Sequence, residues 1–112
     1  MIADLVRCCY AAYETKDRQS LEDLIARDFT FSSPQDDHID RAAYFERCWP
    51  NSAKIRAITI EKLFEQGGEA FVRYRSELNT GAVFRNTELL RFKDGKLVEV
   101  EVYFGRTLKE AP

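Results

Sequence analysis

Two groups of residues have the types and spacing to do chemistry. Asp36, Asp37, His38 and Asp40 follow Pro34 in one short segment. A histidine among carboxylates can be tuned for proton transfer near neutral pH, which makes His38 and Asp36 the candidate acid–base residues. The competing reading is structural: Asp40 caps a helix, the other two aspartates hold a turn, and His38 is solvated. The second group is Glu88 and Glu101, expected to face each other across two strands. Facing carboxylates drive one pKa up and can serve acid catalysis. Arg73, expected opposite Glu88, turns that cluster into a structural ion network instead.

Cys8, Cys9 and Cys48 are an odd set with two members adjacent, which fits free thiols in a reducing compartment better than a disulfide framework. A thiolate nucleophile needs a nearby cation or base, and only Arg7 is close in sequence, so buried and inert thiols are expected. One histidine and no Cys/His spacing leave no zinc pattern, and no loop has the layout of a calcium site. Neither a metal nor a cofactor is expected.

At 112 residues the chain has room for one domain, 1–112. Its 45% hydrophobic and 32% charged residues are ordinary globular material. No apolar run approaches the roughly 18–20 residues of a membrane span. Met1-Ile2-Ala3-Asp4 lacks the layout of a signal peptide, so the expected compartment is the cytoplasm. Seventeen basic and nineteen acidic residues, interspersed, make no electrostatic footprint for nucleic acid or anionic lipid.

The elements that must position these groups follow from periodicity. Ile2, Leu5, Val6, Cys9, Tyr10 and Tyr13 recur at helical spacing, which predicts a helix over 2–14. Asp17 caps a second helix over 18–26, with Leu21, Leu24 and Ile25 inward. Residues 28–32 alternate as a short strand, and 33–37 are turn chemistry. Asp40 caps a third helix over 41–49, which Pro50 ends. Four strands follow, at 54–64, 69–78, 82–93 and 96–104, separated by Gln66-Gly67-Gly68, Asn79-Thr80-Gly81 and Asp94-Gly95. Helices ahead of a strand meander mean α+β, with the helices packed into the concave face of a curved antiparallel sheet.

Two-residue loops at Thr80-Gly81 and Asp94-Gly95 set the strand register. They place Glu88 opposite Glu101, Arg73 opposite Glu88 and Arg75 opposite Asn86. The face under the helices then carries Val72, Tyr74, Leu89, Val98, Val100, Val102 and Phe104, with Arg85 and Thr87 among them. The outer face carries Arg73, Glu88, Glu99 and Glu101 among Phe71, Phe84, Leu90, Phe92, Leu97 and Tyr103. So many apolar groups on an outer face call for a cover, and a second copy is the simplest one.

The segment order, the aromatic strand Phe29-Thr30-Phe31-Ser32-Ser33-Pro34 and the hairpin Asp94-Gly95-Lys96-Leu97-Val98-Glu99 together resemble the nuclear transport factor 2-like superfamily. Ketosteroid isomerase, limonene epoxide hydrolase and SnoaL-type polyketide cyclases belong to it. The resemblance spans nearly the whole chain. It implies a cone-shaped, cystatin-like α+β barrel around an apolar cavity, and dimers through the outer sheet face. It implies no single function, since the superfamily holds enzymes and binding modules alike. Carried over by residue, the isomerase base falls at Ser33 and the oxyanion-hole tyrosine at Cys9. The cyclase acid and histidine fall at Val102 and Val100. The epoxide-hydrolase pattern is only echoed by Arg75 and Glu77. Each familiar catalytic set is broken.

Tyr13, Ser33, Tyr44, Trp49, Tyr74 and Arg85 are the candidate ligand-binding residues, aromatic surfaces with polar anchors for a flat apolar molecule. Filling of the core is their alternative role. The expected function is binding of a small apolar ligand in the cup without the usual catalytic acids. The alternative is an isomerase, cyclase or dehydratase using His38 or Asp36.

Overall fold

Asp17 and Asp40 start helices as their positions predict: Asp17 accepts from the Ser20 backbone N–H at 3.1 Å, and Asp40 from that of Ala43 at 2.9 Å. The structure, a computed structural model, describes residues 2–112. In chain order the elements are α1 (Ile2–Thr15), α2 (Arg18–Leu24), β1 (Ile25–Ser33), β2 (Asp36–Asp40), α3 (Arg41–Arg47), a 3₁₀ helix (Trp49–Lys54), β3 (Ile55–Gln66), β4 (Glu69–Leu78), β5 (Val83–Lys93) and β6 (Lys96–Lys109). The strands form one curved sheet in the order β2-β1-β6-β5-β4-β3. Helix α1 packs on β3 and β4, and α3 packs on β1. Phe29, Leu21, Leu90, Val6 and Val72 are fully buried between these layers.

The α+β architecture agrees with the expected one, and four local readings are corrected. The sheet is mixed, because β1 runs parallel to β6. Everything from β2 to β5 serves as the long crossover that a parallel pair requires. Helix α2 stops at Leu24, since Ile25 is drawn into β1 beside Leu97 and tertiary pairing outweighs its helical spacing. Residues 36–40, read as turn and loop, are the strand β2, which pairs with β1. The third helix ends at Arg47, and Pro50 sits in the first turn of the 3₁₀ helix, where its missing N–H has no partner to lose.

Register decides which side chains face inward, and the expected register is off by one. The β4–β5 loop has three residues, Asn79, Thr80 and Gly81, with Leu78 N–H bonded to Ala82 O at 2.9 Å and Gly81 at φ +94°. Arg73 therefore sits opposite Thr87, and Val72 opposite Glu88. At the other hairpin Lys93 pairs with Lys96 and Phe92 with Leu97, as the Asp94-Gly95 turn predicts. Val98 is then an extra residue, a bulge, and beyond it Arg91 faces Glu99 while Glu88 faces Val102. The two slips cancel for β6, so Val100 and Val102 stay inward. For β5 they do not. Asn86, Glu88, Leu90 and Phe92 turn toward the helices, and Arg85 turns away.

Gly105 shows how closely β5 and β6 approach. A Cβ there would lie 1.9 Å from the Arg85 carbonyl oxygen, which is backbone and cannot step aside. At Gly67, with φ +61°, a Cβ would meet nothing, so only the left-handed backbone resists substitution. Gly105→Ala should lose more than about 2 kcal/mol in urea unfolding, and Gly67→Ala about 1 kcal/mol. Equal midpoint shifts for the two variants would contradict the close approach.

Candidate functional site

Helices and sheet enclose a cavity of about 540 Å³. Helical spacing in α1 brings Cys9, Tyr10 and Tyr13 to one wall, and Tyr44 arrives from α3. Strand alternation in β4 and β5 supplies Tyr74, Ser76, Asn86, Glu88 and Leu90, and β6 adds Val100 and Val102. Asn51, Lys54, Phe104 and Thr107 also line it and are exposed, so the cavity opens to solvent on their side.

The Glu88 carboxyl is part of its lining. Tyr10 Oη donates to Glu88 Oε1 and Tyr74 Oη to Glu88 Oε2, each at 2.8 Å. Asn86 Nδ2 donates to Tyr74 Oη at 3.3 Å, and the Gly105 backbone N–H donates to Asn86 Oδ1 at 3.1 Å. The Tyr10 and Tyr74 rings lie 5.1 Å apart. Burial pushes the Glu88 carboxyl above the usual carboxylate range, against the two tyrosine bonds that favour its charged form. Glu88 is only half-buried by accessible area and lines the cavity, so part of its surface faces the hollow. Ser76, at the same wall, is fully buried with no hydrogen-bond partner for its hydroxyl.

The tyrosine hydroxyls and the two cysteine thiols here are held neutral. Burial raises the hydroxyls of Tyr10, Tyr13, Tyr44 and Tyr74, and Tyr13 and Tyr44 are bonded to each other through their Oη atoms. Burial also raises Cys9 to about 12 and Cys48 to about 11, too high for either thiol to act as a nucleophile near neutral pH. Among the described residues no three His, Cys, Asp or Glu side chains gather as metal ligands. The chemistry available is hydrogen bonding and proton exchange at Glu88, in largely apolar walls that also hold the ion-paired Asp36.

Five of the eight residues singled out from sequence line the cavity: Tyr13, Ser33, Asp36, Tyr44 and Tyr74. Asp36 accepts a bond from Ser33 Oγ at 3.3 Å and pairs with Arg47 at 2.5 Å. His38 lies outside with its side chain 62% exposed, its Nδ1 2.6 Å from Asp37 Oδ1 and its Nε2 3.7 Å from Glu99. The Asp37 contact raises its pKa. Trp49 backs the wall, with its ring 5.0 Å from that of Tyr13, but does not reach the hollow. Arg85 is on the outer face, bonded to Glu61 at 2.7 and 3.0 Å. Glu88 meets neither Arg73 nor Glu101. Arg73 pairs with Glu61 at 3.2 Å, and Glu101 accepts from Tyr103 Oη at 3.0 Å. Tyr10 and Asn86 escaped the sequence reading, and Glu88 was weighed there only as half of a carboxylate pair on the outer face, whereas its partners are Tyr10 and Tyr74. The signal for Asn86 and Glu88 was Asn86, Glu88, Leu90 and Phe92 read as one inward row.

A family model described as SnoaL-like domain matches residues 6–100. Solved structures share the fold. A protein from Kribbella flavida, 17% identical, superposes with a TM-score of 0.84 over 92% of this chain and 85% of that one. A nuclear transport factor 2-like protein of unknown function from Cytophaga hutchinsonii is 24% identical, with a TM-score of 0.75 over 93% and 89% of the two chains. A protein with a ketosteroid isomerase-like fold from Catenulispora acidiphila, solved in complex with trimethylamine, is 19% identical, with a TM-score of 0.70 over 89% and 84%. No curated protein matches the chain. Likeness at these identities concerns the fold and carries no activity.

The raised Glu88 pKa has a definite sign in stability. Its contribution is fully present below the ordinary carboxylate value of 4.5 and is lost as pH rises through the higher folded value. Glu88→Gln should therefore gain stability relative to the wild type across that window, by at most about 1.4 kcal/mol per pH unit. Urea midpoints from pH 4 to 8 measure it. A constant difference between the two proteins would show that Glu88 titrates as an ordinary exposed acid.

Proposed function

The chain belongs to the SnoaL-like domain family, and from that premise we propose that it holds a small, largely apolar molecule in the cavity. The ligand's polar end meets Tyr10, Glu88 and Tyr74. The cavity carries this reading: its volume of about 540 Å³ falls in the range of small-molecule sites. Apolar and aromatic walls with a few convergent polar groups are the composition such sites have. By the resemblance, Ser33, Cys9, Val100 and Val102 fall where related enzymes carry catalytic groups, which favours binding without that chemistry.

A second reading, an acid–base enzyme of the isomerase, cyclase or dehydratase kind, is favoured by one observation. Glu88 is a carboxyl with a raised pKa and a surface on the cavity, the property a proton carrier needs. In that reading Glu88 takes the role considered for His38, and Asp36 is the second acid within the walls. Glu88→Gln would then keep ligand binding and lose turnover.

A thermal-shift panel of steroids, terpenes, aromatic polyketides, acyl derivatives and amines tests the binding reading. A ligand at 100 times its dissociation constant adds about 2.7 kcal/mol, which raises the melting temperature of a domain this size by roughly ten degrees. No shift for any compound would count against a ligand-binding cup.

We also propose that a second copy covers the outer sheet face. Phe64, Phe71 and Leu89 stand side by side on β3, β4 and β5, and Phe64 is 70% exposed. An apolar row of this kind is ordinarily covered. Phe71→Glu should convert a dimer to a monomer in sedimentation equilibrium, and a monomeric wild type would remove the proposal.

A further inference from the structure

We propose that the molecule taken into the cavity is a hydrophobic amine, bound as its cation with the ammonium against Glu88 and the tyrosine rings beside it. This rests on the ligand-binding reading above and names its ligand class.

Glu88 lacks a counter-charge. Both its oxygens are bonded, but by the neutral hydroxyls of Tyr10 and Tyr74. The elements packed around it bring no cation: α1 presents Cys9, Tyr10 and Tyr13, α3 presents Tyr44, and Cys48 follows α3. From the sheet come Tyr74 and Ser76 of β4 and, directly opposite on β6, Val102. Asp36, the other acid in the walls, already has Arg47. Among the lining residues the cation is Lys54, which is exposed.

A half-buried carboxylate in apolar walls without a cation is destabilising, whereas glutamine would fill the same space uncharged. A ligand ammonium offsets that penalty, and the faces of Tyr10 and Tyr74 add cation–π attraction. The apolar remainder of the ligand meets walls such as Phe31, Leu90 and Val100. An anionic ligand would add like charge beside Glu88 and Asp36, and a neutral one would leave Glu88 uncompensated.

Three molecules with one cage and different charge test this by titration calorimetry: adamantylamine, adamantanol and adamantane carboxylate. The amine should bind the wild type at least about tenfold tighter than the alcohol, with the carboxylate weakest. Glu88→Gln should remove the amine's advantage over the alcohol. A measurement on the wild type alone runs beside it. Burial raises the Glu88 pKa, so amine binding near that pH must release a proton, seen as a heat that depends on the buffer's ionisation enthalpy. Equal affinity for amine and alcohol, or a preference that survives Glu88→Gln, overturns the amine while leaving a ligand cup in place. Binding of none of the three at millimolar concentration counts against the ligand cup itself, and the amine falls with it.

Discussion

Everything at this site depends on the register of β5 against its two neighbours. Side chains alternate with period two, so a slip of one residue exchanges the buried and solvent rows of the whole strand. Two small features set that register. The loop of Asn79, Thr80 and Gly81 closes only because Gly81 takes φ +94°, a region closed to most side chains. The Val98 bulge absorbs the mismatch on the β6 side, so Leu97 and Val100 are both buried although they are three apart. With a two-residue loop Arg85 would have entered the cavity and Glu88 would have joined the outer ion pairs. The observed register reverses both, leaving a charged outer row around Glu61 and the Glu88 carboxyl inside.

That inward carboxyl ties three elements together. Tyr10 reaches it from α1 and Tyr74 from β4, and Asn86 extends the network to the β6 backbone at Gly105. Bonds to a charged acceptor contribute about 1.5–3 kcal/mol each, against the cost of desolvating the charge. For Glu88 burial outweighs the bonds, which is why its pKa moves up. The neutral form has its own consequence. A protonated Glu88 donates to one tyrosine oxygen and frees that hydroxyl's proton to point into the cavity. The polar end of the cavity can therefore present either charge or a donor, according to what occupies it.

Long periodic segments and strong caps were legible in the sequence. The α1 face, the Asp17 and Asp40 caps and the Asp94-Gly95 turn all stand where local chemistry places them. The departures lie where local signals were weak or tertiary pairing prevailed. Thr80-Gly81 reads equally well as a two- or three-residue loop, and nothing in Lys96-Leu97-Val98-Glu99 announces a bulge. For β5 that uncertainty was decisive, because Arg85, Thr87 and Leu89 against Asn86, Glu88 and Leu90 is a near-even contest in hydrophobicity. Tyr13, Tyr44 and Tyr74 survived the slip because helix spacing and the β4 row do not depend on it. His38 was drawn to the site by its neighbours in sequence. Pairing of β2 with β1 turns it outward instead.

A domain of this size needs its aromatic residues for packing, and yet a hollow remains. The two demands are met in different places. Phe29, Phe31 and Phe45 pack around Tyr44 at ring separations of 5.1, 5.2 and 5.3 Å, and Trp49 closes on Tyr13. These rings bury one another between α3, β1 and the end of α1, forming a wall and not a plug. Across from them β4 and β5 offer Tyr74, Ser76, Asn86 and Glu88, whose polar atoms are paired along the sheet or with Tyr10 of α1, except for the Ser76 hydroxyl. The two sides meet through Tyr10, which bonds Glu88 and packs its ring on that of Tyr74, and elsewhere leave the space between them open. Stability resides in the wall and the sheet, which leaves the hollow free to be shaped by its contents.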